Sequence, residues 1–170
     1  MKSEFEVSMM RELKFFLGLQ IKQDNKGIYI HQQKYTKELL KKFKMENAKP
    51  MKTPSHASNP LSKDESGKPI DHTIYGGMIG SILYLTSSRY DIMHSVCLCA
   101  RFQSNPQESH LKAVKRILHY LVGITNQCWF YKKNQDFMLV RYCDVDYVGD
   151  RVERKSTSGG CHYIGPCRVS

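Results

Sequence analysis

No stretch of eighteen consecutive apolar residues occurs in the 170-residue sequence, which argues against a membrane-spanning helix. The opening Met1-Lys-Ser-Glu-Phe-Glu lacks the apolar core of a secretory signal, so an intracellular protein, cytoplasmic or nuclear, is expected. The six cysteines, at 97, 99, 128, 143, 161 and 167, form no C-x-x-C pair. Cys161, His162 and Cys167 come nearest to a zinc cluster, but a fourth ligand at workable spacing is missing. Reduced thiols, several of them in the core, are expected instead. Acid is scarce: 16 Asp and Glu stand against 26 Lys and Arg, a net charge of +10. Such an excess concentrates polyanions at the surface, or it simply keeps the chain soluble. The length suits one domain or parts of two.

What is present divides into recognisable segments. Residues 9–23 read as an apolar strand with Phe15, Phe16, Leu17, Leu19 and Ile21 densely packed. Asp24-Asn-Lys-Gly is a turn in which Gly27 can supply a positive φ, and Ile28-Tyr-Ile-His returns as a second strand. Residues 34–45 follow helical spacing, with Tyr35, Leu39, Leu40 and Phe43 inward and Lys37, Lys41, Lys42 and Lys44 outward. Residues 47–71 carry four prolines and little periodicity, and read as an irregular connection.

Three helices follow. The first, 74–88, places Ile74, Met78, Ile82 and Leu85 on one stripe; Gly76, Gly77 and Gly80 within it suggest close packing of a neighbour. The second, 92–102, has Asp91 as its cap and Ile92, Val96 and Cys99 inward. The third starts at Asn105-Pro-Gln-Glu, with Glu108 placed to close a capping box, and stops at Gly123. Its apolar stripe is Leu111, Val114, Leu118 and Leu121, with Lys112, Lys115, Arg116 and His119 opposite. The spacing predicts a small helical bundle.

Residues 127–132, rich in aromatics, are expected to form a small antiparallel sheet with residues 137–144 and 161–164. The strand from Phe137 delivers Asp144 and Asp146, two residues apart and therefore on one face. Two such carboxylates repel unless a cation lies between them, and Mg2+ takes oxygen ligands of this kind.

Asp144-Val-Asp-Tyr-Val-Gly-Asp with Arg154-Lys-Ser-Thr-Ser-Gly resembles the start of the ribonuclease H domain in copia-type LTR retrotransposon Pol polyproteins. Upstream stretches resemble the same family in the same order. They are Phe15-Phe-Leu-Gly-Leu-Gln-Ile, Gln33-Lys-Tyr, Met51-Lys-Thr-Pro, Met78-Ile-Gly-Ser-Ile-Leu-Tyr-Leu-Thr, Arg101-Phe-Gln and His110-Leu-Lys-Ala-Val-Lys-Arg-Ile-Leu. The resemblance implies an α+β chain in four parts. Residues 1–49 would be a reverse transcriptase palm remnant (hairpin and helix), and 50–72 a linker. Residues 73–125 would be a helical thumb or connection region, and 126–170 a truncated ribonuclease H-like domain. It further implies Asp144 as the first Mg2+-binding carboxylate, and an RNA–DNA hybrid and the remainder of the Pol polyprotein as partners. On this reading Lys115, Arg116, Arg154 and Lys155 are the phosphate-contact candidates, although exposed lysines and arginines also serve as plain surface charge.

The family's polymerase Tyr-x-Asp-Asp does not occur in these 170 residues. Ribonuclease H chemistry needs several carboxylates from separate elements, whereas Asp146, Asp150 and Glu153 follow Asp144 within one local segment. Tyr90, Gly76, Tyr147, Cys143 and His119 stand where the family usually has other residues. A catalytically incomplete Pol fragment that binds Mg2+ at most weakly is therefore expected. A stand-alone hybrid-binding module and a partial nuclease completed in trans stay open beside it. An unpaired strand edge in the incomplete C-terminal sheet would favour self-association.

Overall fold

The computed structural model describes residues 13–56, 61–63, 66–133, 138–146, 156–165 and 167–168. Among them, in chain order, are β1 (Phe15–Phe16), β2 (Leu19–Gln23), β3 (Gly27–His31), α1 (Gln33–Lys42), α2 (His72–Leu85), α3 (Tyr90–Ala100) and α4 (Glu108–Gly123). Then come β4 (Trp129–Lys132), β5 (Leu139–Asp146), β6 (Thr157–Ile164) and β7 (Cys167–Arg168). The strands form two antiparallel sheets, ordered β1-β2-β3-β4 and β5-β6-β7. The chain is thus mixed α/β, as expected at that level.

The continuous strand expected over residues 9–23 is broken. Leu17 (φ 48°) and Gly18 (φ 80°) both take left-handed backbone, the requirement of a primed two-residue hairpin turn. Phe16 then pairs with Leu19 and Phe15 with Gln20. Gly18 is also needed for space, since a Cβ there would lie 1.6 Å from the Tyr84 hydroxyl. That hydroxyl donates to the Leu17 carbonyl at 2.9 Å and ties α2 to the turn. Phe15, Phe16 and Leu17 are exposed rather than densely packed, because β1 is the outer strand of its sheet.

At the β2–β3 turn the Asp24 carboxylate accepts from the backbone N–H groups of Lys26 (2.7 Å) and Gly27 (3.0 Å). Gly27 has the expected positive φ, 158°, which side chains rarely adopt. It also serves close approach: a Cβ there would sit 2.1 Å from the Tyr131 carbonyl oxygen of β4. This contact reflects a second correction. The aromatic strand pairs with β3, not with the C-terminal strands, in the register Gly27 with Lys132 and Tyr29 with Phe130. The rings of Tyr29 and Phe130 stack with centroids 4.5 Å apart, a cross-strand aromatic pair that rewards this register.

The core lies among the helices. Tyr75, Ile79, Ile82 and Leu85 of α2 pack with Ile92, Val96 and Cys99 of α3. Val114, Ile117, Leu118 and Leu121 of α4 and Leu39 and Leu40 of α1 complete it. Each such side chain stabilises the fold by roughly 1.5–3 kcal/mol before entropy is counted. Met78, Ile82 and Leu85 of the expected α2 stripe are buried, but Ile74 is 62% exposed, and Tyr75 and Ile79 face inward in its place. Tyr75 can be buried because its hydroxyl donates to the Cys99 carbonyl at 2.8 Å. The α2 glycines do not mediate close packing: among the described residues, a Cβ at Gly77 or Gly80 would meet nothing within 4 Å.

Two helix starts also differ. α3 begins at Tyr90, so Asp91 lies in its first turn and its carboxylate engages Arg89 instead of capping. α4 begins at Glu108 with Gln107 as N-cap, two residues beyond the Asn105 start. His110, not Glu108, closes on the N-cap: its Nδ1 accepts from the Gln107 backbone N–H at 3.0 Å. That leaves Nε2 to donate to the Ser62 carbonyl at 2.9 Å. The ring is buried and stacks on Phe102, centroids 4.0 Å apart.

The proline-rich connection is irregular but anchored along α4. The Glu108 N–H bonds to the Lys68 carbonyl (2.9 Å) and the Ile70 N–H to the Pro106 carbonyl (2.9 Å). At the other end the Met51 N–H bonds to the His119 carbonyl (3.1 Å).

Candidate nucleic-acid interface

Helix α4 divides into two faces. Val114, Ile117, Leu118 and Leu121 are buried, while Lys112 and Lys115 are exposed on the opposite side. The connection over residues 51–56, 61–63 and 66 runs along that side, and a cleft of about 1260 Å³ opens between it and α3 and α4. Its cations are Lys63, Lys112, Lys115 and Arg116, and its apolar lining includes Met51, Leu61, Leu98 and Ile117. Lys112 is partly neutralised by Glu108 at 3.1 Å, an exposed i,i+4 pair of small energetic weight. Among the described residues no carboxylate pairs with Lys115 or Arg116.

Arg116 is half-buried and held in place. Its Nη2 donates to the Thr53 hydroxyl at 2.9 Å, and that hydroxyl donates to the Ser55 carbonyl at 3.0 Å. Its Nε is sealed from solvent and has no hydrogen-bond partner among the described residues. His119 donates from Nδ1 to the Lys49 carbonyl at 2.8 Å, since a carbonyl can only accept. Cys99, at the cleft wall, is inert as a nucleophile, because burial pushes its thiol up to about 12.

Of the sequence-derived candidates, Lys115 and Arg116 are thus brought to one cleft. Arg154 and Lys155 lie outside the described residues. Asp144 is exposed on β5 opposite Gly159, remote in sequence and element from the cleft. Asp146 ends the same strand opposite Thr157, but its side chain is outside the described ones, as are Asp150 and Glu153. Among the described residues no three His, Cys, Asp or Glu side chains converge on a point that could hold a metal. Thr53 and Lys63 were not legible as site residues, because they fall in the proline-rich stretch where no periodicity assigns a face.

A profile of the reverse transcriptase (RNA-dependent DNA polymerase) family matches residues 1–57. The Retrovirus-related Pol polyprotein from transposon RE1 of Arabidopsis thaliana is 38% identical over 170 residues, all of this chain and 12% of that protein. The corresponding polyprotein from transposon TNT 1-94 of Nicotiana tabacum is 33% identical over 169 residues, 94% of this chain and 13% of its own length. The uncharacterized mitochondrial protein AtMg00810 of Arabidopsis thaliana is 30% identical over 172 residues, 99% of this chain and 70% of that protein. No solved structure matches.

The chain is therefore a relative of reverse transcriptases. More narrowly, it belongs to the retrovirus-related, copia-like Pol polyproteins of transposons, along its whole length. It spans 12% of the length of the RE1 and RE2 polyproteins it matches. Among the described residues no helix is long and apolar enough to cross a membrane.

Proposed function

We propose that this chain is a copia-type Pol segment that holds nucleic acid against the basic face of α4 and performs no phosphoryl transfer by itself. The observation that carries the reading is the cleft between α4 and the connection, where Lys63, Lys115 and Arg116 meet without a balancing carboxylate among the described residues. Phosphates that enter such a cleft displace counterions, which favours binding without base recognition. The family profile that matches residues 1–57 is that of an RNA-dependent DNA polymerase, and an RNA–DNA hybrid is the ligand that this parentage suggests. The first sheet with α1 is read as the palm remnant, α2–α4 as the thumb or connection, and β5–β6 as the opening hairpin of a ribonuclease H-like domain. Soluble, intracellular surroundings go with this reading.

Mg2+ belongs to the parent chemistry, and Asp144 would be its first ligand. Hard cations take six or more oxygens, with several supplied by carboxylates. One exposed carboxylate on β5 does not amount to such a set, so the described residues do not fit the ion. No chemical step is derived through it. Among the described residues Asp144 has no second carboxylate converging on it.

One gel assay tests the reading. The full chain is mixed with a hybrid carrying a labelled RNA strand, with and without Mg2+. A retarded band with intact RNA is expected. Mg2+-dependent cleavage lost in Asp144→Asn would reject the non-catalytic part and favour a nuclease. Cleavage that appears only after another Pol segment is added would favour completion in trans.

A further inference from the structure

Arg116 carries a geometric mismatch. The Nε–H and Nη2–H groups of a guanidinium lie on one edge and form a two-donor fork. In this chain Nη2 bonds to the Thr53 hydroxyl at 2.9 Å, while Nε on the same edge is buried without an acceptor among the described residues. A single hydroxyl oxygen thus occupies an edge made for two oxygens. A buried donor left unpaired is costly, and in folded proteins such donors nearly always find a partner. Phosphate offers two oxygens at the spacing of the fork.

The surroundings favour an anion. The guanidinium lines the α4 cleft with Lys63, Lys112 and Lys115, and only Lys112 is paired with a carboxylate among the described residues. A phosphate reaches that edge only when the exposed Thr53 side chain swings off Nη2; its hydroxyl then leaves the Ser55 carbonyl and donates to the bound oxygen. Pro54 follows it and disfavours helical backbone at Thr53.

We propose that the Nε–Nη2 edge of Arg116, with the Thr53 hydroxyl and Lys115, is a seat for a phosphate oxyanion supplied by a nucleic acid strand. The proposal rests on the reading of α4 as the nucleic-acid face, and it sharpens that reading to one bidentate contact. Lys115 and Lys112 act as point charges that any polyanion satisfies. Arg116 requires a group with two free oxygens in one plane, as an internal phosphodiester or a phosphate monoester presents.

The test uses the full chain labelled with 15N, observed at the arginine Nε–H resonances. The Arg116 signal is assigned by its loss in Arg116→Lys. It is titrated with a 5′-hydroxyl oligonucleotide, which holds only phosphodiesters, and with inorganic phosphate, using chloride at equal ionic strength as the control. A saturable shift with the oligonucleotide is the expected result and identifies the internal phosphodiester. A shift with inorganic phosphate alone keeps the seat but removes the strand, and the nucleic-acid reading falls with it. If the oligonucleotide moves Lys115 and its neighbours while Arg116 Nε stays still, the seat is wrong and the broader reading survives. No response anywhere overturns both. As a second readout, Arg116→Lys keeps the charge but loses the fork. It should weaken oligonucleotide binding about tenfold, against about twofold for Lys112→Gln. Equal effects of the two substitutions would contradict the seat.

Discussion

Arg89 and Asp91 clasp each other through two parallel hydrogen bonds, Nε to Oδ1 at 2.9 Å and Nη2 to Oδ2 at 2.7 Å. Arg89 is 3% exposed and also donates from Nη1 to the Ile124 carbonyl at the end of α4 (3.0 Å). The Tyr120 hydroxyl donates to the same carboxylate at 2.9 Å. The fork therefore joins the α2–α3 junction to α4. Burial alone would raise the Asp91 pKa, but the Arg89 bonds and charge, with the Tyr120 bond, outweigh it and hold the group below the usual carboxylate range.

The sign of the pH effect follows. A depressed folded-state value means that the stabilisation is present above the ordinary carboxylate pKa and is lost as pH falls through the lowered one. Urea denaturation between neutral and acidic pH should show this loss, and Asp91→Asn should flatten it. Asp91→Ala should cost about 3–5 kcal/mol at neutral pH, because it leaves the Arg89 charge buried and unpaired. A loss no larger than an exposed pair gives would contradict this role.

The phase of α2 gives a second prediction. Tyr75→Phe removes the hydroxyl bond to the Cys99 carbonyl, which keeps the Phe102 N–H at 3.1 Å, and should destabilise by about 0.5–1.5 kcal/mol. Ile74→Lys should be near neutral, within about 0.5 kcal/mol, since Ile74 points to solvent. Thermal melts of the two variants decide between this phase and the Ile74 stripe, which requires the reverse order.

That stripe shows where sequence reading stopped. Ile74 and Tyr75 are adjacent, and with Gly76, Gly77 and Gly80 in the helix too few side chains fix the phase. The hydroxyl-to-carbonyl bond that selects Tyr75 is tertiary and invisible in a window of sequence. The same holds for β4. Its alternation marked a strand, but its partner β3 lies about a hundred residues upstream, and only Tyr29 opposite Phe130 and Gly27 against Tyr131 show the pairing. The inward residues of α3 and the basic face of α4 were legible, because each follows from helical period alone. Family membership was legible from ordered motifs. The cleft was not, since its second wall is the aperiodic connection.

Gly27 offers a third prediction. An alanine methyl would enter the Tyr131 carbonyl at 2.1 Å, where backbone has no rotamer to yield. Gly27→Ala should pry β4 from β3 and speed amide exchange at Ile28, Ile30 and Tyr131 relative to β5 and β6. Uniform exchange in both sheets would mean that β4 belongs elsewhere.

The C-terminal sheet gives a fourth. β6 is flanked by both β5 and β7, so the strand expected to be left open is paired along its last two residues. Of the two outer strands, β5 and β7, the longer is β5. The Gly165 N–H bonds to the Met138 carbonyl at 3.0 Å, so the alternating ladder turns the backbone groups of Leu139, Arg141, Cys143 and Val145 outward. Leu139 and Val145 are 70% and 73% exposed. We expect association through this edge, seen as species larger than a monomer in sedimentation, and reduced by Val145→Lys. A wild-type monomer at high concentration would sink the prediction.

The central claim, that α4 holds nucleic acid, is tested most directly by the salt dependence of binding. Anisotropy of a labelled RNA–DNA hybrid is followed with the full chain from about 50 to about 200 mM salt. The account predicts affinity that falls steeply with salt, and a log–log slope that drops by about one in Lys115→Gln. Binding absent at low salt, or a slope that Lys115→Gln leaves unchanged, would contradict it.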